Sequence, residues 1–148
     1  MPAEDATAVG AIRSAGAVVF GKTNIPRWSG DYQSYNELFG TTNNPWDITR
    51  TPGGSSGGPA AAVAMGFTGF EISTDIGGSI RTPCHFCGVY GLKPTLNLVP
   101  EKGHIPPLPG QILALRDLAV AGPMGRSPQD LLLELEVVAG PESEEATA

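Results

Sequence analysis

The run Gly53-Gly54-Ser55-Ser56-Gly57-Gly58 constrains this chain more than any other stretch. Four glycines around two serines demand backbone conformations that a Cβ would block. They also leave amide N–H groups free to face a ligand. The sequence after it, GGPAAAVAMG at 57–66, predicts a short, tightly packed helix. Pro59 suits the first turn, and the alanines allow a neighbouring element to approach closely. The sequence before it, 21–54, is a long aperiodic segment rich in Asn, Pro and aromatic residues. A loop this long inside a domain is more often functional than not. The plainer alternative is a surface loop pinned by its aromatics. Packing, rather than the lining of a ligand pocket, is the expected role of Trp28, Tyr32, Tyr35 and Trp46.

Three chemistries compete for the glycine-rich run. A phosphate loop needs Lys followed by Ser or Thr after the glycines, and Pro59-Ala60 stands there instead. A nucleophile elbow matches by letter, since Gly53-Gly54-Ser55-Ser56-Gly57 satisfies G-x-S-x-G. The elbow needs a strand before it, however, and Thr49-Arg50-Thr51-Pro52 is a poor one. A flexible linker is the third reading, but six residues between patterned segments are short and well placed for one.

A second turn follows. Residues 67–74 (FTGFEIST) alternate loosely and read as a strand that runs into Asp75-Ile76-Gly77-Gly78-Ser79-Ile80-Arg81. Successive N–H groups of such a turn form a nest able to hold a developing oxyanion, with Ser79 at its mouth. The structural alternative is a tight turn in which Ser79 is an ordinary helix cap. Ser55 and Ser79 lie 24 positions apart, each on a Gly-rich turn, with a helix and a strand between. That connection can bring both turns to one edge of a sheet. Serine is a weak nucleophile and needs a base. The histidines available are His85 and His104, and both are expected to be structural. Cys84-His85-Phe86-Cys87 spells C-x-x-C, but a zinc site needs two further ligands and a redox site needs a thioredoxin-like context. Two packed thiols are the simpler expectation, and no metal or cofactor is expected.

The remaining elements frame these turns. Residues 4–15 predict an amphipathic helix with Ala8, Val9 and Ile12 on one face and Gly16 as its stop. Ala17-Val18-Val19-Phe20 predicts a buried strand. Residues 80–87 suggest a turn or two of helix disturbed by Pro83, and Val89, Tyr90 and Leu92 another strand. Residues 96–121 look irregular. Residues 128–139 predict a helix capped by Ser127 and Asp130, with Leu131, Leu135 and Val138 as its apolar stripe. Alternating helices and strands indicate an α/β architecture. The net charge of −6 argues against a nucleic-acid or anionic-membrane surface. No apolar run reaches the roughly 18 residues of a membrane span. The first twenty residues lack the basic start of a signal peptide, which points to the cytoplasm.

Taken together, GKTNIP at 21–26, NELFGTTNNPWD at 36–47, TPGGSSGGPAAAVAMG at 51–66, STDIGGSIRTPCHFCGVYGLKPT at 73–95 and AGPMGRSPQDL at 121–131 resemble the amidase signature family of serine hydrolases. The similarity runs from about residue 5 to residue 141. The resemblance implies part of that family's mixed, twisted sheet flanked by helices, with 1–141 a partial amidase domain and 142–148 a polar tail. It implies a Ser–cis-Ser–Lys triad. Ser79 matches the nucleophile, and Ser55, after a cis peptide from Gly54, matches the bridging serine. The amides of Ile76, Gly77, Gly78 and Ser79 match the oxyanion hole, and Ser56, Asp75 and Arg81 match supporting positions. The implied activity is hydrolysis of a small-molecule carboxylic amide through an acyl-enzyme.

The family's catalytic Lys lies several tens of residues before the double serine, in a V-K-D-like segment. Lys22 belongs to GKTN, Lys93 to GLKPT, and Lys102 has no counterpart, so the catalytic position falls before Met1. The chain is therefore expected to be the central piece of an amidase, inactive alone. Its expected partners are the missing parts of the domain or a second copy. The alternative function is a non-catalytic remnant or assembly partner of a split amidase.

Overall fold

A computed structural model describes residues 4–104 and 118–141. Part of the expected irregular segment and the polar tail at 142–148 lie outside the described residues. Helices α1 (Thr7–Ser14), α2 (Gly57–Ala64), α3 (Arg81–Cys87) and α4 (Pro128–Val138) surround two small antiparallel sheets. One is a hairpin of β1 (Tyr35–Asn36) and β2 (Gly40–Thr41). The other has three strands, β3 (Phe70–Asp75), β4 (Tyr90–Gly91) and β5 (Val120–Gly125), in the order β3-β5-β4. Both β3 and β4 run antiparallel to β5, hence parallel to each other. The β3–α3–β4 unit thus leaves a gap that β5 fills.

The three-stranded sheet separates two cores. Alternate residues of a strand face opposite sides. Ala121 of β5 joins Ala8 and Ile12 of α1, Val138 of α4 and Val99, with Phe70, Ile72 and Leu135 packed around them. Met124, on the other face, joins Ala60 of α2 with Ile80, Cys84 and Cys87 around α3. The second core carries both Gly-rich turns, because α2 begins at one and α3 at the other.

Local sequence explains most elements. The Ser127 hydroxyl accepts from the Asp130 amide at 3.1 Å, and the Asp130 carboxylate accepts from the Ser127 amide at 2.9 Å. This is the capping box the sequence predicts, and Pro128 occupies the first helical turn. Helix α1 is shorter than expected, and its acids lie ahead of it, where Asp5 pairs with Arg13 at 2.9 Å. Gly16, at φ +92°, ends it.

Two elements differ from expectation. Residues 17–20 are not a strand, and Val18 is 82% and Phe20 73% exposed. A strand needs a neighbouring strand to bond to, and the Ala17 amide bonds instead to the Ile12 carbonyl at 3.2 Å, closing the end of α1. Conversely, Val120–Gly125 is the central strand of its sheet, although Pro123 and two glycines argue against one. Pro123 is tolerated because its polar edge faces Leu92, one residue beyond β4, whose amide donates to the Pro123 carbonyl at 3.0 Å. Gly125 is required by close approach, since a Cβ there would lie 2.7 Å from Asp130 Cβ. Among the described residues no helix is long and apolar enough to cross a membrane.

A candidate serine-centred active site

Asp75, the last residue of β3, is fully buried and organises the second turn. Its Oδ1 accepts from the Gly78 amide at 2.8 Å and from Arg81 Nη2 at 2.9 Å. Its Oδ2 accepts from the amides of Ile80 (3.0 Å) and Arg81 (3.3 Å) and from Arg81 Nε (3.1 Å). Burial pushes the carboxyl pKa up, but the Arg81 guanidinium and the three backbone amides outweigh it and bring it to about 2. Asp75 is therefore ionised at neutral pH, and residues 76–81 wrap around its charge. The turn is closed on its other side by Tyr32, whose phenol donates to the Gly77 carbonyl at 2.8 Å. Ser79 is half-buried between the anchored Gly78 and Ile80.

This wrapping sorts the four amides of the expected oxyanion hole. The Gly78 amide is engaged by Asp75. Those of Ile76, Gly77 and Ser79 have no acceptor among the described residues. The turn thus presents three unengaged donors around one that is anchored.

The first turn is built by close approach. Gly53 adopts φ +83°, and a Cβ there would lie 2.9 Å from Pro83 Cα. A Cβ on Gly54 would overlap the Asp31 carbonyl and lie 2.8 Å from Tyr32 Cα. The buried Ser34 hydroxyl donates to the Gly53 carbonyl and accepts from the Gly57 amide, each at 3.0 Å. It ties the two ends of the loop together. Asn24 braces the same region, since its carbonyl accepts from the Gly58 amide at 3.1 Å. Its side chain donates to the Gly40 carbonyl at 3.1 Å and to Thr42 Oγ1 at 3.0 Å. The Gly54–Ser55 peptide is cis, and Ser55 and Ser56 are each 4% exposed.

The two turns meet. The Ser56 amide donates to the Ser79 carbonyl at 3.2 Å, so residues 23 apart in sequence sit on adjoining backbones. Ser55, Ser56, Asp75, Ile76, Gly77, Gly78, Ser79 and Arg81 therefore occupy one region. Among the described residues no histidine hydrogen-bonds to this group. His85 is exposed on α3, its ring 5.9 Å from that of Phe86, and His104 is exposed. Cys84 and Cys87 are free, buried thiols in the second core. Burial pushes them up to about 12 and about 11, which keeps both protonated at neutral pH.

Sequence reasoning missed three of these residues. Asn24 carried a signal, because it lies in the GKTN run, but its bracing role did not. Ser34 gave none, and Tyr32 stood out only as one of the loop aromatics expected to pack, since a Ser or Tyr in an aperiodic loop says nothing of what it touches 23 or 45 positions away. Packing was expected of all four loop aromatics. All four are exposed instead, Trp28 at 89% and Trp46 at 70%, and Trp46 is held by a single hydrogen bond from Nε1 to the Cys87 carbonyl at 2.7 Å, at the end of α3.

The family model for amidases matches residues 1–148. The chain is 43% identical over 148 residues to a glutamyl-tRNA(Gln) amidotransferase subunit of Alkaliphilus metalliredigens, covering 100% of this chain and 29% of that protein. Among solved structures it resembles the corresponding amidotransferase subunit from Thermotoga maritima, with a TM-score of 0.85, 36% identity and coverage of 98% of this chain and 30% of the other. It also resembles peptide amidase from Stenotrophomonas maltophilia, with a TM-score of 0.82, 38% identity and coverage of 97% and 29%. The chain thus spans a little under a third of the length of these relatives. By the full-length match of the family model, and by a mixed α/β fold shared with these enzymes, the chain belongs to the amidase family.

Proposed function

We propose that this chain carries the nucleophile, the bridging serine and the oxyanion turn of a hydrolase that splits carboxylic amides into acid and amine. The observation that carries the proposal is the junction of the two turns, where the Ser56 amide meets the Ser79 carbonyl beside three unengaged amides. In this reading a neutral lysine takes the proton of Ser55, and Ser55 takes that of Ser79. Ser79 Oγ attacks the amide carbon, and the carbonyl oxygen becomes an oxyanion held by the amides of Ile76, Gly77 and Ser79. Gly78 contributes through Asp75, which fixes the turn. Each such donor is worth about 3–4 kcal/mol in other hydrolases. Ser55 returns the proton to the departing amine as the C–N bond breaks. Water then cleaves the acyl ester and restores the Ser79 hydroxyl.

The lysine matches none of Lys22, Lys93 and Lys102, so the base comes from outside this stretch of sequence. The relatives named above are a glutamyl-tRNA(Gln) amidotransferase component and a peptide amidase. The chemistry common to them is an amide C–N bond, and a small-molecule amide in the cytoplasm is the substrate class proposed. Hydrolysis of an aryl amide by the full protein, compared with its Ser79→Ala variant, tests the proposal. The variant should lose at least about a thousandfold in rate. Equal rates above background would refute the assignment of Ser79, and equal rates at background would favour a non-catalytic assembly role.

A further inference from the structure

We propose that Tyr32 is a positioning residue for the oxyanion turn, its phenol holding the Gly77–Gly78 peptide plane so that the flanking Gly77 and Ser79 amides stay aimed at the reacting carbonyl. The inference rests on the amidase reading above and adds a residue to it. A peptide plane has two polar handles, its carbonyl oxygen and its N–H. Here both are held, the Gly78 N–H by Asp75 at 2.8 Å and the Gly77 carbonyl by Tyr32 Oη at 2.8 Å. The plane lies between two glycines, and Gly78 adopts φ +119°. Glycine crosses between left- and right-handed conformations with little penalty, so side-chain sterics do not fix this plane. Rotation about it would re-aim the amides on either side.

Tyr32 is itself well placed to resist that rotation. Its ring lies against the turn, since a Cβ on Gly77 would be 3.3 Å from the phenol oxygen and one on Gly78 4.0 Å from Cε1. Its carbonyl accepts from Thr51 Oγ1 at 3.3 Å, and its Cα is seated against Gly54, the residue before Ser55. One residue thus touches both turns, with its backbone on the bridging-serine loop and its phenol on the oxyanion loop. Tyr32 is 55% exposed, so water can replace the phenol as a donor to Gly77. Loss of the hydroxyl alone should leave stability nearly unchanged while the plane loses its fixed partner.

The test uses a fluorophosphonate probe on the full protein. Ser79 Oγ attacks phosphorus, fluoride leaves, and the phosphoryl oxygen enters the same hole. Tyr32→Phe should lower the maximal labelling rate by about 3–10-fold, the range one neutral hydrogen bond carries. The probe concentration for half-maximal rate and the melting temperature should hold. Tyr35→Phe, which alters an exposed tyrosine of β1, should label like the parent. A Tyr32→Phe protein that labels at the parental rate overturns the proposal, as does one whose melting temperature falls together with every kinetic constant. Ser79→Ala separates the two levels. If it takes up no label while Tyr32→Phe labels normally, the Tyr32 proposal alone fails. If it takes up label as fast as the parent, the amidase reading fails and takes this proposal with it.

Discussion

Replacing Glu134 by Met should stabilise the protein, and by an amount that depends on pH. Glu134 is 3% exposed on α4, and neither carboxylate oxygen has a hydrogen-bond partner among the described residues. Burial, with the charges of Glu71 and Asp130 adding to it, pushes its carboxyl up from 4.5 to about 9. The folded state therefore binds a proton that the unfolded chain has released at pH 7. A carboxyl raised in the fold costs nothing below the unfolded value and costs progressively more as pH climbs towards the folded one. At pH 7 the gap of roughly 2.5 units, at about 1.36 kcal/mol each, amounts to about 3 kcal/mol. Methionine has no proton to retain and fills similar volume. In urea denaturation the stability difference between Glu134→Met and the parent should be about 3 kcal/mol larger at pH 7 than at pH 4.5. Glu71, pushed up to about 7 by burial, is present in both proteins and largely cancels. A difference that stays flat between those pH values would refute the claim that Glu134 is buried without a compensating partner.

Other outcomes follow from single contacts. Ser34→Ala removes the hydroxyl that joins the Gly53 carbonyl to the Gly57 amide and strands two buried groups, so it should cost about 1–3 kcal/mol in denaturant unfolding. Asp75→Asn removes the charge of a carboxylate whose folded pKa, about 2, lies below its ordinary 3.8. A depressed carboxyl stabilises above the unfolded value and loses that contribution as pH falls through the folded one. The charge-linked part of the loss should be about 2 kcal/mol at pH 7, reduced by solvent screening around the half-exposed Arg81, and should fade towards pH 2. A pH-independent loss should remain, because the asparagine NH2 faces donors where a carboxylate oxygen accepted. Ser127→Ala breaks the capping box of α4 and should cost about 1 kcal/mol, read from the same denaturation curves.

Elements written in local chemistry were legible before the structure. The α4 boundary follows from Ser127, Pro128 and Asp130, and α2 from Pro59 set among small residues. The turn after β3 follows from Gly77 and Gly78, and the family from the spacing of the two serine turns. What was not legible depends on partners far along the chain. Val18 and Phe20 are apolar enough for a strand, but apolarity does not provide a neighbouring edge to bond to. Pro123 forbids a central strand unless its edge faces a place where the neighbour has ended, and Leu92 creates that place. The link from Tyr32 to Gly77 spans 45 positions and leaves no periodicity to read. The engagement of the Gly78 amide by Asp75 likewise needed coordinates, because sequence shows four adjacent amides as equivalent.

The account stands or falls on which serine reacts. Peptide mapping of the fluorophosphonate-treated protein by mass spectrometry addresses this directly. A phosphonyl adduct on Ser79, with Ser55 and Ser56 unmodified, is the predicted result. An adduct on Ser55 or Ser56 instead, or no adduct on any of the three, would contradict it.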